Sequence, residues 1–377
     1  MTDLPGLRPA RVDLLVVGAG IVGLAHAVTA LERGLTVTVV DRDERAVGAS
    51  VRNFGHGCVT AQEGEALGFA QQARGTWLRM ARLAGFWAAE TGTVVVARAE
   101  EELAALDEVA QRRGRAEVVL MSPAEITERV PVHPGPVLGG AFLPRDIRVD
   151  PRAAIPALAE WIDRQPGGRV LWSTPVTGVE EGVVHTPRGD LRGARVVVCA
   201  GHDLDRLVPA AAEDAGMVRC ALQMLQVRVP EGGPIEPAVF TGSSLLRYPA
   251  FSSTDGAAAL RARWAADRPE LLEAGIHHMI TQRPDGDLVV GDTHAYARTP
   301  DPFSSEPLDE LLLAETCALL RVTDLRVVHR WRGVYASAPE RDFLRAKVAP
   351  GVMAVAVTSG IGMTTAFGLA PNILDSL

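Results

Sequence analysis

Residues Val12 to Arg42 run strand, glycine turn, helix, strand, acid, and this order restricts what the chain can fold into more than anything else in it. The apolar run Leu14 to Val17 stops at Gly18, Gly20 and Gly23, spaced G-x-G-x-x-G. Ile21, Leu24, Ala25, Val28 and Leu31 then recur at helical spacing, and Leu35 to Val40 is a second apolar strand closed by Asp41. Each glycine has a physical job in a dinucleotide-binding βαβ unit: Gly18 for the tight turn, Gly20 for close approach of a pyrophosphate, Gly23 for packing helix on strand. The helix start, at Ile21 and Val22, presents unpaired N–H groups and a positive dipole end to phosphate. Asp41 can accept from both ribose hydroxyls, which argues against a 2'-phosphate; Arg42 follows it. The competing reading is a glycine-rich turn in an ordinary βαβ unit.

Arg8, Arg11, the apolar run and Ala25-His26-Ala27 imitate a secretory leader. Glycines inside the run, Asp13 at its start and the amphipathic continuation oppose that reading. No other stretch nears the length of a membrane span, so a cytoplasmic protein without membrane contact is expected. The four cysteines, Cys58, Cys199, Cys220 and Cys317, form no C-x-x-C and read as reduced thiols. A net charge of −8 argues against nucleic acid as a partner. All but one of the 38 basic residues are arginine, leaving Lys347 as the sole lysine for chemistry.

Further along, an irregular loop (Gly48 to Thr60) precedes a helical region, Glu63 to Glu90. Thr93 to Ala97 reads as a strand and Glu100 to Arg112 as a helix. Ser122-Pro123-Ala124-Glu125 is a capping box, and Asp150-Pro151 caps a helix to Arg164. Arg195 to Cys199 reads as a buried parallel strand returning to the first unit. From Met217 to Tyr335 strands alternate: Arg219 to Val229, Ile276 to Gln282, Leu288 to Asp292 and Leu325 to Tyr335. Asp285-Gly286 marks a hairpin. Helices are expected at Gly256 to Trp264 and Leu308 to Leu320. A last strand, Val352 to Val357, leads to a glycine turn and helix. The pattern predicts an α/β fold: a Rossmann-like dinucleotide domain (1–90, 140–215, 336–377) and a second domain on a mostly antiparallel sheet (91–139, 216–335).

That order resembles the D-amino-acid oxidase superfamily of FAD enzymes, which includes glycine oxidase and sarcosine oxidase. The resemblance rests on the fingerprint, on the loop Ala49-Ser50-Val51-Arg52-Asn53-Phe54-Gly55, on Val196 to Ala200 with Gly201, and on Ser359-Gly360-Ile361-Gly362-Met363-Thr364. It implies that these segments, with Val176, hold FAD. Ser50-Val51-Arg52-Asn53-Phe54-Gly55, Arg247-Tyr248-Pro249-Ala250-Phe251, Gly291-Asp292-Thr293-His294 and Trp331-Arg332-Gly333-Val334-Tyr335-Ala336-Ser337 resemble a branch associated with bacterial aminophosphonate breakdown. Relatives that hold a substrate carboxylate with arginine place it where this chain has Tyr335, which lowers plain α-amino acids as substrates. Gly333 stands near the position of the flavin-attaching cysteine of sarcosine oxidase, so FAD is expected to be non-covalent.

The resemblance implies oxidation of the C–N bond of a small amine to an imine, then an aldehyde or keto acid. 2-Aminoethylphosphonate or an N-methyl derivative is the expected substrate, with O2 or another acceptor taking the electrons. The rivals are an oxidase or dehydrogenase of an N-methyl or cyclic amino acid, which needs a carboxylate-binding arginine elsewhere, and a non-enzymatic flavoprotein. His294, ending a strand, is the first candidate for the active site. Tyr248, Tyr335 and Gln223 are candidates for the pocket wall, and Arg247 and Arg332 for gripping an anion. Strand-end, core or surface roles compete for each. His277-His278 alternate across a strand and read as structural.

Overall fold

The computed structural model describes residues 11–229, 233–322 and 325–377; Arg8 lies outside them. At its centre five strands run parallel in the order Gly168–Leu171, Val37–Val40, Val12–Val17, Leu191–Val198 and Val352–Val357. Such strands must be apolar on both faces because helices and loops cover both, and Leu14 to Val17 and Val37 to Val40 are buried throughout. Their alternation divides two cores. Leu14 and Val16 face the helices Ile21–Glu32, Gly64–Ala84, Pro151–Arg164 and Gly362–Ser376. Leu15 and Val17 face Leu204, Val208, Met217 and Ala336. Phe343–Ala349 adds an antiparallel edge.

In register, Val17 pairs with Val40 and Val198. Three neighbouring strands therefore end together, at Gly18, Asp41 and Cys199, and the carboxyl edge of a parallel sheet is where such folds place ligands.

The second sheet has nine strands. Its spine, Val218–Arg228, pairs along its length with Arg326–Ser337. On the other side it pairs with Ala295–Ala297 and Leu288–Gly291. Met279–Gln282, Ala238–Phe240, Thr93–Ala97, Gly139–Leu143 and Val119–Met121 follow. All these pairs are antiparallel except Ala238–Phe240 with Thr93–Ala97. The boundary expected at residue 140 falls inside Gly139–Leu143, which belongs to this sheet through its ladder to Thr93–Ala97.

Local signals worked where their chemistry was complete. The capping box forms: the Glu125 N–H donates to Ser122 Oγ and the Ser122 N–H to Glu125 Oε2. Asp150 accepts from the Arg152 N–H at 3.1 Å. The Glu63 to Glu90 region stops earlier, at Ala84, because Gly85 takes a left-handed conformation and Ala88–Ala89 pairs with Val149 and Arg148. The short helix Gly242–Arg247 had no sequence signal; six residues are too few for a helical period to show.

Candidate active site

The two sheets enclose one continuous cavity of about 790 Å³. It runs from Gly18, Gly20, Asp41 and Arg42, past Ala49, Ser50, Arg52, Asn53, Phe54 and Val176, to Ala200, Gly201 and Gly333, and on along Ser359 to Met363. Its far end is walled by Leu222, Met224, Arg247, Tyr248, His277, Met279, Asp292, His294 and Tyr335. The size lies in the range of ligand and cofactor pockets.

The near end is a cradle of backbone. Gly18 has φ +105°, and a Cβ there would lie 2.4 Å from the Cys199 carbonyl oxygen. Gly23 lies outside the cavity and makes it possible: a Cβ there would sit 1.9 Å from the Gly18 oxygen. Asp41 Oδ2 accepts from the Ala19 N–H at 2.7 Å, and Oδ1 from the Asp43 N–H at 3.0 Å. These bonds fix the carboxylate toward the cavity, while burial raises its pKa. Ser50 Oγ accepts from the Ile21 N–H at 2.9 Å, so the second loop is tied to the helix start. Arg42 is paired with Asp203 at 2.8 Å. Asn53 faces the cavity only in part, since its side chain bonds Ala49, Ser50 and Gly55 of its own loop. Gly55 and Thr364 do not line the cavity: Gly55 makes a turn against Val149, and Thr364 Oγ1 accepts from the Cys58 N–H at 3.2 Å.

At the glycine turn after Val357, the buried Ser359 hydroxyl has no protein partner although its residue lines the cavity. The helix Gly362–Ser376 starts there. A cradle that only glycines permit, a fixed acid, a helix start at each end and an orphaned hydroxyl fit a dinucleotide carrying a flavin.

At the far end, Arg247 Nη2 donates to the Tyr335 hydroxyl at 2.8 Å and Nη1 to that of Tyr296 at 3.5 Å. Burial works against its charge, but Tyr335, Tyr296 and Asp292 more than offset it, and its pKa is raised. Tyr248 stacks on Phe240 at 5.2 Å and meets His277 edge-on at 5.1 Å. His294 Nδ1 lies 3.0 Å from the Gly275 carbonyl, which only accepts, so Nδ1 carries the proton and Nε2 is an acceptor. Burial, then Arg247, push its pKa down to about 3. An ordinary histidine titration near neutral pH is therefore not available to it.

Two expected residues are elsewhere. Gln223 binds Ser305 and Asp309 on the opposite side of the sheet. Arg332 donates to the Asp301 carbonyl. They pair with each other across the strands, whereas Leu222 pairs with Gly333 and Cys220 with Tyr335. Alternation puts the latter set on the cavity face and the former on the far face. Lys347 is exposed on the edge strand, outside the cavity.

His277 corrects the structural reading of the His277-His278 pair. His277 lines the cavity, with Nε2 at 3.1 Å from Ser244 Oγ and Nδ1 at 3.4 Å from Asp292 Oδ1. His278 faces Thr316 Oγ1 at 2.9 Å, in the core. Asp292 had no signal beyond its place before His294; only the long-range pairing at residues 277 and 292 brings it to the wall.

A family model described as FAD dependent oxidoreductase matches residues 13–373. No curated protein sequence matches the chain. Among solved structures it is similar to L-proline dehydrogenase from P. horikoshii (TM-score 0.79, 20% identity, 97% of this chain and 93% of that one). It is also similar to glycine oxidase from Geobacillus kaustophilus (0.76, 19%, 98% and 95%). A third likeness is to L-alpha-glycerophosphate oxidase from Mycoplasma pneumoniae with FAD bound (0.76, 18%, 97% and 94%). At these identities the likeness establishes the fold.

Proposed function

Because the chain belongs to the FAD-dependent oxidoreductase family, we propose that this cavity oxidises the carbon–nitrogen bond of a small amine whose other end is an anion held by Arg247. One observation carries the reading. Arg247 is a cation facing the cavity whose protein partners, among the described residues, are two hydroxyls and no carboxylate within ion-pair reach. A guanidinium so placed still has donors to offer an incoming anion.

Bound FAD would supply the acceptor for a hydride equivalent from the carbon beside the nitrogen. Gly18, Gly20 and the start of Ile21–Glu32 would hold its pyrophosphate, Asp41 its ribose, and Ser359 to Met363 its flavin end. No cysteine stands at Gly333, which supports non-covalent attachment. Arg247 fixes the anion and Tyr335 fixes Arg247. Tyr248, Leu222, Met224 and Met279 make the wall apolar and exclude water. Neutral His294, with Nε2 unprotonated, can take a proton from the amine nitrogen. O2 is the proposed acceptor, with peroxide as product.

Resemblance favours 2-aminoethylphosphonate or its N-methyl form. A second reading, an amino acid, is favoured by the cavity itself. Arg332 is absent from it, which leaves Arg247 as the one arginine among the described residues at the far end of the cavity, a better match for a carboxylate than for a dianion. Arg247 also brings to Tyr335, from another element, the guanidinium that Tyr335 lacks. Names of similar structures, glycine oxidase and L-proline dehydrogenase, point the same way.

Anaerobic flavin bleaching by 2-aminoethylphosphonate, its N-methyl form, glycine, sarcosine and proline separates the two. Arg247→Met should lower kcat/KM for the best of them about 10- to 150-fold, the worth of a charge-assisted contact of roughly 1.5–3 kcal/mol. Wild-type kinetics in that variant would refute the clamp, and a flavin that no amine bleaches would refute amine oxidation.

A further inference from the structure

We propose that the Asp292 carboxylate is the docking point for the substrate's ammonium group, so that the cavity recognises a zwitterion by both of its charges. The inference rests on the reading of Arg247 as the anion's partner and extends it to the other end of the ligand.

Asp292 is 4% exposed, lines the cavity and has no hydrogen bond to Oδ1. A buried carboxylate without a partner costs several kcal/mol or draws a cation to itself. The two nearest candidates inside the protein do not serve. His277 Nδ1 stands at 3.4 Å and His294 Nδ1 at 3.8 Å, without a hydrogen bond to it. His294 keeps its Nδ1 proton on the Gly275 carbonyl. Burial keeps both rings neutral by lowering their pKa values. Burial works against the Asp292 charge too, but the Arg247 guanidinium, a permanent charge at the same wall, favours it, and Asp292 is held below its ordinary pKa and ionised. Among the described residues the wall thus presents an anion with no cation in hydrogen-bond contact and, on Arg247, a cation with no anion in contact. A small amine with an acidic end supplies both.

Docking as a cation also gives the proton a route. The ammonium must lose one N–H proton before its carbon can give up a hydride. Transfer to His294 Nε2, leaving a neutral amine and an imidazolium beside Asp292, requires the proton affinity of that ring to rise well above its ligand-free value, which puts its pKa at about 3. Arg247 is one cause of the low proton affinity of His294. A bound substrate anion offsets that charge, so the base strengthens when the substrate is in place.

A divalent metal is the competing occupant, since His277, Asp292 and His294 have ligand atoms within 4.8 Å of one another. The Arg247 charge and the bond from His294 Nδ1 to Gly275 both work against it.

The test is Asp292→Asn in the FAD-loaded protein, read by flavin absorbance before reduction. Probes are two matched pairs: acetate with glycine, and ethylphosphonate with 2-aminoethylphosphonate. Removing the negative charge should leave the amine-free anion binding equally or more tightly. The amine-bearing partner should weaken roughly 10- to 100-fold, as for loss of a charge-assisted bond. Asp292→Glu should keep part of the preference for the amine. Weakening of both members of a pair would make Asp292 a structural residue and overturn the proposal, as would no change in either. Wild-type protein that ignores both amine-free anions would remove the Arg247 reading and this one with it. An amine preference lost on dialysis against EDTA and restored by Zn²⁺ would put a metal on Asp292 instead.

Discussion

A neutral imidazole at neutral pH makes His294 a base that does not control its own titration. With its pKa pushed down to about 3, it stays unprotonated wherever a flavin enzyme is ordinarily assayed. His294→Asn should slow anaerobic flavin reduction about 10²–10⁴-fold if the imidazole takes the amine proton. The midpoint of the pH profile above roughly pH 6 should stay where it was, because the substrate's own nitrogen sets it. A midpoint that vanishes with the imidazole would mean that His294 titrates in that range. At this scale sequence reading was limited by parity. Tyr248, Tyr335, Arg247 and His294 were nameable from their segments and all reach the cavity. Gln223 and Arg332 sit in equally suggestive segments, one residue out of phase with the inward face. Nothing in a strand's composition fixes which of its two faces meets a particular partner.

Gly23 shows how an element's packing sets the phosphate cradle. The helix Ile21–Glu32 can lie against the turn only while residue 23 has no side chain. Gly23→Ala should cost roughly 1–3 kcal/mol as an overpacking change and release FAD, visible as lost yellow colour after gel filtration. Gly68→Ala, within the helix Gly64–Ala84, meets nothing within 4 Å and should stabilise the protein by roughly 0.5–1 kcal/mol. Equal FAD retention in the two variants would show that close packing at Gly23 does not matter. Helices of ten or more residues were legible, Ile21–Glu32 from its periodicity and Pro151–Arg164 from its Asp150-Pro151 cap. The helix that delivers Arg247 was not, because its position depends on contacts from distant sequence. Thr241 Oγ1 donates to the His278 carbonyl, and the His278 N–H donates to Ser243 Oγ.

Two core histidines, His26 and His278, and the cavity-wall His294 give the whole molecule a sensitivity to acid. Burial pushes His26 and His278 down to about 4 and His294 to about 3, against an ordinary value of 6.5. Each binds fewer protons folded than unfolded between those limits, so stability present above pH 6.5 is lost as pH falls toward 4. The slope is at most about 1.4 kcal/mol per pH unit for each ring. The urea midpoint of the FAD-loaded protein should therefore drop steadily from pH 6.5 to pH 5, and a flat midpoint there would refute the account. A different consequence follows from where the sheet gets its fifth parallel strand. Residues 352–376 supply that strand, the turn at Ser359 and the helix behind it. They leave the ribosome after every other segment of the cavity wall. The phosphate turn at Gly18 to Gly23 precedes them in the chain by more than three hundred residues, so a growing chain has no floor for the flavin until residues 352–376 are made. A chain lacking these residues is therefore expected to be colourless after gel filtration, since it keeps the phosphate turn and loses the flavin end of the cavity.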